Sequence, residues 1–373
     1  MEENSSERRT ISVAFSGAIP NPQEPSYLPD IEFTPDGEMF AITARDDHRV
    51  RLYNTRTREL IREFGAEGPA LDLPHGLALS NSHLVVSSKG TKARGHTFIS
   101  CYDLRAASAK PVSDAVAPSE LFYEPHSLAL DGDHLYVTYC GGKENGLAIF
   151  KWDRLTGEIG ECLHLNSESF NGYGHPKGVA IDAKTRMLFV SFTTEKPFPV
   201  SRSNWRQKLR RAWAGSDGLL HFMRKCLVEL KLIAERIGST ETPVNNGVMI
   251  FDLQKGLPET PEKLLLSNDY TRFENIDVCR GLLALADPLN NTIALFSPND
   301  LSLRSPRLVV SEHLTFPHDV AISPITDELV VANYGIETHE DEVMWHCFGE
   351  DRSDRMVFFN LAGQESVGDL SAA

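Results

Sequence analysis

The sequence predicts an all-β protein, a six-bladed β-propeller, and two observations support this prediction. First, one short pattern, a turn followed by an alternating apolar strand, recurs six times along the 373 residues. Second, most copies are spaced by the length of four short antiparallel strands, which is typical of a propeller blade. Aligned on the first apolar residue of the strand, the copies begin at Ile31, Leu77, Leu128, Val179, Ile276 and Val320.

Each repeat contains short alternating segments separated by turn residues, such as the Pro-Asp-Gly turn at 35–37 of blade 1. The predicted strands are 31–34, 39–43, 50–54 and 59–64 in blade 1; 77–79, 84–87, 98–102 and a weak outer strand near Leu121 in blade 2; 128–130, 135–138, 147–152 and 159–165 in blade 3; 179–181, 188–192, 248–253 and 263–266 in blade 4; 276–278, 282–286, 292–296 and 307–310 in blade 5; and 320–322, 329–332 and 356–361 in blade 6.

The last blade lacks a fourth strand, and the segment 10–15 is a spare strand near the other end of the chain. Pairing this segment into blade 6 closes the ring and protects two open sheet edges. We therefore expect one propeller domain that spans residues 1–373.

Residues 196–245 interrupt blade 4 between its second and third strands. Apolar residues such as Leu220, Met223 and Leu227 recur there at helical spacing. Between residues 196 and 236, ten Lys or Arg residues stand against three Asp or Glu residues. We predict a basic helical hairpin, which is a lid or brace on the propeller face, a homodimer contact or a membrane-surface contact.

The composition argues against several classes of function. The formal net charge is -15, which disfavours a nucleic-acid-binding surface. No apolar run is long enough for a transmembrane segment, and the first ten residues lack the apolar core of a secretory signal. The six cysteines form no CxxC pair and are interpreted as reduced thiols. We expect a cytoplasmic protein that acts on a small-molecule substrate.

A propeller brings equivalent positions of its blades together around one central channel. The residue two before the first apolar strand position is, in blade order, Pro29, His75, His126, Lys177, Glu274 and His318. A histidine in three copies is compatible with an inherited structural residue. The proline, lysine and glutamate at the other three positions instead indicate a chemically differentiated ring.

Several imidazoles at one place favour a divalent transition metal such as zinc or iron, because a protonated, unpaired imidazole is costly to bury. The predicted metal ligands are His75, His126, His318 and His175. Three protein ligands and an open position suit a catalytic site. Glu274, Asp30 and Asp319 are candidates for a further ligand, an orienting hydrogen bond or a general base.

Further side chains are expected at the same mouth of the channel. The predicted catalytic residues are Glu274, Tyr139, Tyr334 and Lys177, with the tyrosines as proton donors. The predicted substrate-binding residues are Arg45, Lys89, Asp30, Asn275 and Asp319. Arg45 and Lys89 are placed to hold a substrate carboxylate.

The repeats resemble the NHL-type six-bladed propeller superfamily over most of residues 25–335. Three motifs, Leu73-Pro-His-Gly-Leu, Pro125-His-Ser-Leu-Ala-Leu and Phe316-Pro-His-Asp-Val, resemble those of peptidylglycine alpha-amidating lyase. The resemblance implies a catalytic channel zinc bound by the three motif histidines, and a lyase reaction assisted by a tyrosine and an arginine. In that family the ligands come from alternate blades, whereas the first two histidines here lie in consecutive blades. No tyrosine or arginine is matched by motif.

Three functions follow as hypotheses. The first is an enzyme, a lyase, isomerase or hydrolase, that processes a small carbonyl- or amide-containing molecule at the histidine-lined mouth. The second is a non-catalytic NHL-type binding or scaffold propeller. The third is a lactonase-like or strictosidine-synthase-like propeller enzyme; its lactonase form needs carboxylate and amide oxygen ligands for calcium.

Overall fold

Six four-stranded antiparallel sheets form a ring in the computed structural model, which confirms the all-β, six-bladed propeller. The first strands of successive blades lie beside one another, and the first strand of blade 6 contacts that of blade 1. The structure describes residues 12–20, 28–45, 47–65, 71–89, 98–116, 124–140, 144–194, 246–267, 269–270, 272–314, 316–333, 338–339, 342–343 and 355–362. Three predicted features lie outside these ranges: the helical hairpin at 196–245, the residue Leu121 and the residue Tyr334.

The strands are β1 Ser12–Pro20, β2 Ile31–Phe33, β3 Met39–Ala44, β4 Arg49–Asn54, β5 Leu60–Phe64, β6 Pro74–Leu79, β7 His83–Ser88, β8 Phe98–Asp103, β9 Ser113–Val116, β10 Pro125–Asp131, β11 His134–Tyr139, β12 Gly146–Trp152, β13 Ile159–Asn166, β14 His175–Asp182, β15 Met187–Thr193, β16 Asn246–Asp252, β17 Lys263–Ser267, β18 Ile276–Cys279, β19 Leu282–Asp287, β20 Thr292–Phe296, β21 Leu308–Val310, β22 Pro317–Ile322, β23 Glu328–Asn333, β24 Thr338–His339, β25 Glu342–Val343 and β26 Arg355–Ala362. Blades 1 to 5 take β2–β5, β6–β9, β10–β13, β14–β17 and β18–β21, and β24 pairs with β25 in a separate hairpin.

Helical structure in the described part of the chain consists of four 3-10 turns. They span Glu168–Phe170, Leu253–Lys255, Pro288–Asn290 and Pro298–Asp300. None of the helices described has the length and apolar character that a bilayer span requires.

The N-terminal strand β1 closes the ring, as predicted, by completing blade 6 in the order β1-β26-β23-β22. It begins at Ser12 and continues to Pro20, beyond the predicted segment 10–15. The alternating pattern breaks after Phe15, and the structure places a bulge between Phe15 and Gly17. A bulge lets pairing continue past a break in alternation, so the strand is longer than the pattern indicates.

The outer strand of blade 2 differs from the prediction, which placed it near Leu121. The observed strand is β9, Ser113–Val116, and it pairs with β8. Ser113 fixes it there by donating its hydroxyl hydrogen to the carbonyl oxygen of Gly157 in blade 3, at 2.7 Å. The four residues Ser-Asp-Ala-Val show no alternating apolar pattern, which is why the sequence misplaced this strand.

The hydrophobic core is divided among the six interfaces between neighbouring blades, with one apolar cluster at each. The cluster that joins blade 6 to blade 1 includes Phe33, Phe40 and Phe358, all buried. Burial of one such side chain contributes about 1.5–3 kcal/mol. Because the last interface is as apolar as the others, the ring is closed by packing as well as by strand pairing.

Candidate metal centre

A β-bulge near the start of the first strand redirects each of the three repeated histidines. In blade 2, pairing advances from Pro74 to Leu77 while the partner strand advances only from Ser88 to Val86, and His75 lies in this bulge. The corresponding shifts occur in blades 3 and 6. A bulge turns a side chain away from the strict alternation of a strand. The bulge therefore directs the histidine side chains away from the blade faces that the apolar residues occupy.

The structure brings His75, His126 and His318 together. Ring centroids are 4.2 Å apart for His75 and His126, 5.3 Å for His75 and His318, and 5.8 Å for His126 and His318. One possible ligand nitrogen from each residue lies within 4.8 Å of the others. Among the described residues, no other set of histidine, cysteine or acidic side chains meets this condition. All three imidazoles are buried.

Backbone carbonyls fix the tautomer of two of these imidazoles. His75 donates its Nδ1–H to the carbonyl oxygen of His126 at 3.1 Å, and His318 donates its Nδ1–H to the carbonyl oxygen of Pro29 at 2.7 Å. A carbonyl oxygen only accepts, so the nitrogen must carry the proton. In the neutral rings, Nε2 of His75 and of His318 therefore keeps a lone pair. Such an outer hydrogen bond is how proteins orient histidine ligands of metals.

The environment keeps the three imidazoles neutral. Burial, reinforced by the nearby ammonium of Lys89, lowers the pKa of His75 and of His126 well below the usual value. Burial lowers the pKa of His318 to about 4, although the carboxylate of Glu274 acts in the opposite direction. Neutral imidazoles with free lone pairs are the form that binds a metal ion.

One buried carboxylate, that of Glu274, adjoins the histidines. Its Oε2 lies 3.4 Å from Nε2 of His126 and 3.9 Å from Nε2 of His318. Its Oε1 is ion-paired with Arg272, and Nζ of Lys177 lies 3.9 Å from Oε2. Burial raises the pKa of Glu274, but Arg272 and Lys177 outweigh burial and hold that pKa well below its ordinary value. The carboxylate is therefore an anion.

A row of hydroxyl groups, which the sequence interpretation missed, positions the bulged residues. Each hydroxyl on the second strand of one blade donates to the carbonyl oxygen of the ring residue in the next blade. The pairs are Thr43 with His75, Ser87 with His126, Thr138 with Lys177 and Ser191 with Glu274, at 3.2, 3.5, 2.6 and 2.8 Å. The signal was available, because the hydroxyl residue recurs at an equivalent position in four second strands.

Arg272 was also missed, and it is the side chain that neutralises Glu274 most directly. It lies two residues before Glu274, so the two side chains share a direction in extended backbone. The sequence signal for Arg272 was a pair of oppositely charged residues, two positions apart, just before a strand.

Two predicted site residues lie apart from the three histidines. His175 is not part of their group, and its Nδ1 contacts the carbonyl oxygen of Cys140 at 2.9 Å. It precedes Pro176, one residue earlier in the repeat than the grouped histidines. Tyr139 is fully buried in the apolar cluster between blades 2 and 3, with Leu128 and Phe150. Burial raises the pKa of its hydroxyl further above the usual value.

The predicted carboxylate-binding residue Lys89 lies close enough to act on the pKa of all three histidines. Its Nζ is 3.7 Å from a carboxylate oxygen of Glu124. Burial lowers the pKa of Lys89, and the neighbouring charges of Lys177 and Arg45 lower it further. Arg45 also lowers the pKa of His75. The two cations therefore lie in the electrostatic surroundings of the histidine group.

The three remaining predicted substrate-binding residues connect neighbouring blades. Asp319 accepts the backbone N–H of Ile31 at 2.7 Å, and Asp30 accepts that of Leu77 at 2.9 Å. The two carboxyl groups also hydrogen-bond to each other, and Asn275 hydrogen-bonds to Asp319. Burial raises the pKa of Asp30 well above its usual range and that of Asp319 to about 6. These contacts give the three residues a role in fixing the inner strands.

The residues present fit a divalent transition metal. In the neutral tautomers, Nε2 of His75 and of His318 carries a lone pair, and Nδ1 of His126 is buried without a hydrogen-bond partner in the described part of the chain. Imidazole nitrogens are ligands that zinc and iron accept. The histidine group of His75, His126 and His318 can therefore hold such an ion once the three imidazole rings move slightly closer together.

Comparison with known proteins supports the fold alone. No protein-family model matches the sequence, and no curated protein matches it. Luciferin-regenerating enzyme is 11% identical, with a TM-score of 0.53, over 91% of this chain and 92% of that one. The Cps50 (Swd1) β-propeller domain of Myceliophteria thermophila is 9% identical, with a TM-score of 0.49, over 94% of this chain and 99% of that one. Hydrazine synthase of Kuenenia stuttgartiensis is 14% identical, with a TM-score of 0.46, over 85% of this chain and 96% of that one. This chain is similar to these proteins as a β-propeller.

Proposed function

We propose that this protein is a metal-dependent enzyme, a lyase or hydrolase, that acts on a small carbonyl- or amide-containing molecule at the ring of His75, His126 and His318. The observation that carries the proposal is the convergence of three buried, neutral imidazoles, with one possible ligand nitrogen of each within 4.8 Å of the others. A buried structural histidine satisfies both ring nitrogens with hydrogen bonds. Nδ1 of His126 has no hydrogen-bond partner in the described structure, so a ligand role explains this histidine better.

Zinc or iron bound there would supply a Lewis acid that polarises a substrate carbonyl oxygen. Glu274 is held as an anion beside the imidazoles, which suits it to accept a proton or to hold the centre in place. Lys177 lies next to Glu274 and is placed to return a proton. Lys89 and Arg45 orient the substrate through an anionic group such as a carboxylate.

The resemblance of the three histidine motifs to those of peptidylglycine alpha-amidating lyase supports lyase chemistry within an NHL-type propeller. The described cysteines Cys101, Cys140, Cys162 and Cys279 are free thiols. Free thiols suit a reducing compartment, so we propose a cytoplasmic protein.

Metal analysis of the purified full-length protein tests the proposal. We expect about one equivalent of zinc or iron per chain, retained through gel filtration. The double variant His75→Ala/His318→Ala should lose the metal, and the matched variant His134→Ala, at the far end of blade 3, should keep it. A metal-free wild-type protein that stays metal-free after incubation with zinc and ferrous iron would favour a non-catalytic scaffold propeller.

For a metal-loaded protein, a panel of small hydroxy amides, lactones and amides identifies the reaction class. Turnover that disappears in the double histidine variant supports the enzyme. Turnover of lactones that depends on calcium and survives the double variant would point to a lactonase-like enzyme instead.

A further inference from the structure

We propose that His48 and Asn291 are positioning residues for the metal ligands His75 and His318. Each accepts a hydrogen bond from the residue two before its histidine and holds that residue in a left-handed backbone conformation. This inference rests on the proposed metal centre, and it identifies what sets the position of two of the three ligands.

The backbone is left-handed at the same place in two of the histidine motifs. Leu73, two residues before His75, has a φ of 55°, and Phe316, two residues before His318, has a φ of 49°. Bulky side chains rarely adopt this conformation, because their Cβ approaches the following carbonyl oxygen. A proline follows each of them, and a residue before proline is ordinarily pushed to extended backbone with a φ of about −120°. Neither residue therefore takes a positive φ by its own preference.

A side chain of the preceding blade holds each of these two residues. Leu73 donates its N–H to Nδ1 of His48 at 3.2 Å, and Phe316 donates its N–H to Oδ1 of Asn291 at 2.7 Å. An unfavourable backbone conformation persists only where the surrounding contacts fix it. The two hydrogen bonds between blades are contacts of this kind.

His48 and Asn291 occupy equivalent turns, between β3 and β4 of blade 1 and between β19 and β20 of blade 5. Each donates its N–H to the carbonyl oxygen three residues earlier, that of Arg45 at 3.1 Å and that of Pro288 at 3.2 Å. Both are left-handed, with φ values of 56° and 53°, and His and Asn adopt this conformation more readily than Leu or Phe. Each turn therefore presents an acceptor at a fixed position to the next blade.

Left-handed residues are concentrated at these two motifs. In the described ranges, eight residues other than glycine have a positive φ, and four of them are His48, Leu73, Asn291 and Phe316. Residues in sparsely populated backbone conformations cluster at functional sites. Because the same arrangement recurs beside two candidate ligands, we infer a role in placing those ligands rather than a peculiarity of one turn.

The arrangement also connects His75 to the predicted substrate-binding residue Lys89. The carbonyl oxygen of Leu73 accepts the backbone N–H of Lys89 at 3.2 Å, so both backbone polar groups of Leu73 are engaged. Without the acceptor on His48, Leu73 is free to return to a negative φ. That rotation changes the direction of the following Pro74 and His75 and moves the imidazole away from the other ligands.

Zinc titration of full-length variants tests the hydrogen bond to His48. His48→Gly suits a positive φ but removes the acceptor, and we expect about 10–100-fold weaker zinc binding. His48→Asn keeps an acceptor, like that of Asn291 in blade 5, and should retain the wild-type affinity. Arg186→Gly replaces a residue with a φ of 57° in the turn between β14 and β15, and this matched control should retain it as well.

A second substitution tests whether the hydrogen bond acts through the backbone. Glycine at position 73 adopts a left-handed conformation without strain, so Leu73→Gly should restore part of the zinc affinity that His48→Gly loses. The absorption spectrum of the cobalt-loaded protein should change in His48→Gly and return toward that of the wild type in the double variant. A purely structural hydrogen bond would lower the free energy of unfolding and leave this spectrum unchanged.

Wild-type zinc affinity in His48→Gly, or no recovery in His48→Gly/Leu73→Gly, would overturn the positioning role while the three-histidine centre stands. A wild-type protein that binds no zinc would overturn the metal centre and this inference with it. If His48→Gly does not fold, Asn291→Gly provides the same test at His318, with Asn291→Asp as the variant that keeps an acceptor. Weaker zinc binding is expected in the glycine variant alone, and equal affinities of the two would overturn the positioning role.

Discussion

The Nδ1–H of His75 is donated to the backbone carbonyl oxygen of His126, 3.1 Å away in the next blade. One candidate ligand is thus oriented by the main chain of another. His318 repeats the arrangement across the closure of the ring, with Pro29 of blade 1 as its acceptor. The geometry of the site therefore depends on the register of neighbouring blades, and several predictions test this dependence.

The two functions of His75 can be separated by substitution. His75→Asn keeps an N–H at the position of Nδ1 but has no atom at Nε2, whereas His75→Ala removes both. We expect both variants to lose the metal, and the metal-free asparagine variant to be more stable than the alanine variant by about 1 kcal/mol. Metal analysis and urea unfolding measure the two effects. Equal stability of the variants would show that the hydrogen bond to His126 contributes nothing.

The hydroxyl of Thr138 joins blade 3 to blade 4. It accepts the N–H of Ser127 at 3.0 Å and donates to the carbonyl oxygen of Lys177 at 2.6 Å. Thr138→Val has nearly the same shape and leaves both buried groups unsatisfied, so we expect a loss of about 1–3 kcal/mol in the free energy of unfolding. The exposed Thr156→Val is the control and should change it little. A neutral Thr138→Val would contradict a structural role for the hydroxyl row.

Gly76 is required by its closeness to the next blade. A Cβ at this position would lie 2.2 Å from the carbonyl oxygen of His126. Gly76→Ala must therefore displace that backbone, and we expect a loss of about 1–3 kcal/mol in stability together with at least about tenfold weaker metal binding. At Gly160 the nearest atom to an added Cβ is 3.3 Å away, so Gly160→Ala is a suitable control. Unfolding curves and metal titration report both quantities.

Burial, with repulsion from Asp319, raises the pKa of Asp277 to about 7 in the folded protein. The unfolded value is about 3.9, so the folded state binds this proton more tightly. The contribution of Asp277 to stability is then complete below about pH 4 and is lost as the pH rises through about 7. We expect the stability of the wild type to fall relative to that of Asp277→Asn between about pH 5 and about pH 8. Urea unfolding of both proteins at about pH 5 and about pH 8 is the measurement. A stability difference between the two proteins that does not change with pH would contradict the raised pKa.

The inner strands and their histidines could be predicted because each blade repeats the same short pattern, and closure of a ring makes equivalent positions neighbours. Features that occur in only one blade were harder to predict from the sequence. Strand β9 is too short to show periodicity. Tyr139 was placed at the mouth because it ends a strand, whereas its ring packs between blades. The roles of Asp30 and Asp319 depend on backbone N–H groups of the next blade. A linear pattern does not show such contacts.

The most direct test of the central claim is the anomalous scattering of a crystal of the full-length protein that has been equilibrated with zinc and measured at the zinc absorption edge. We predict one dominant peak bonded at about 2.0–2.1 Å to a ring nitrogen of each of His75, His126 and His318. A peak at His175 or at surface carboxylates only, or an unchanged histidine group without a peak, would contradict a metal centre at the axis of the propeller.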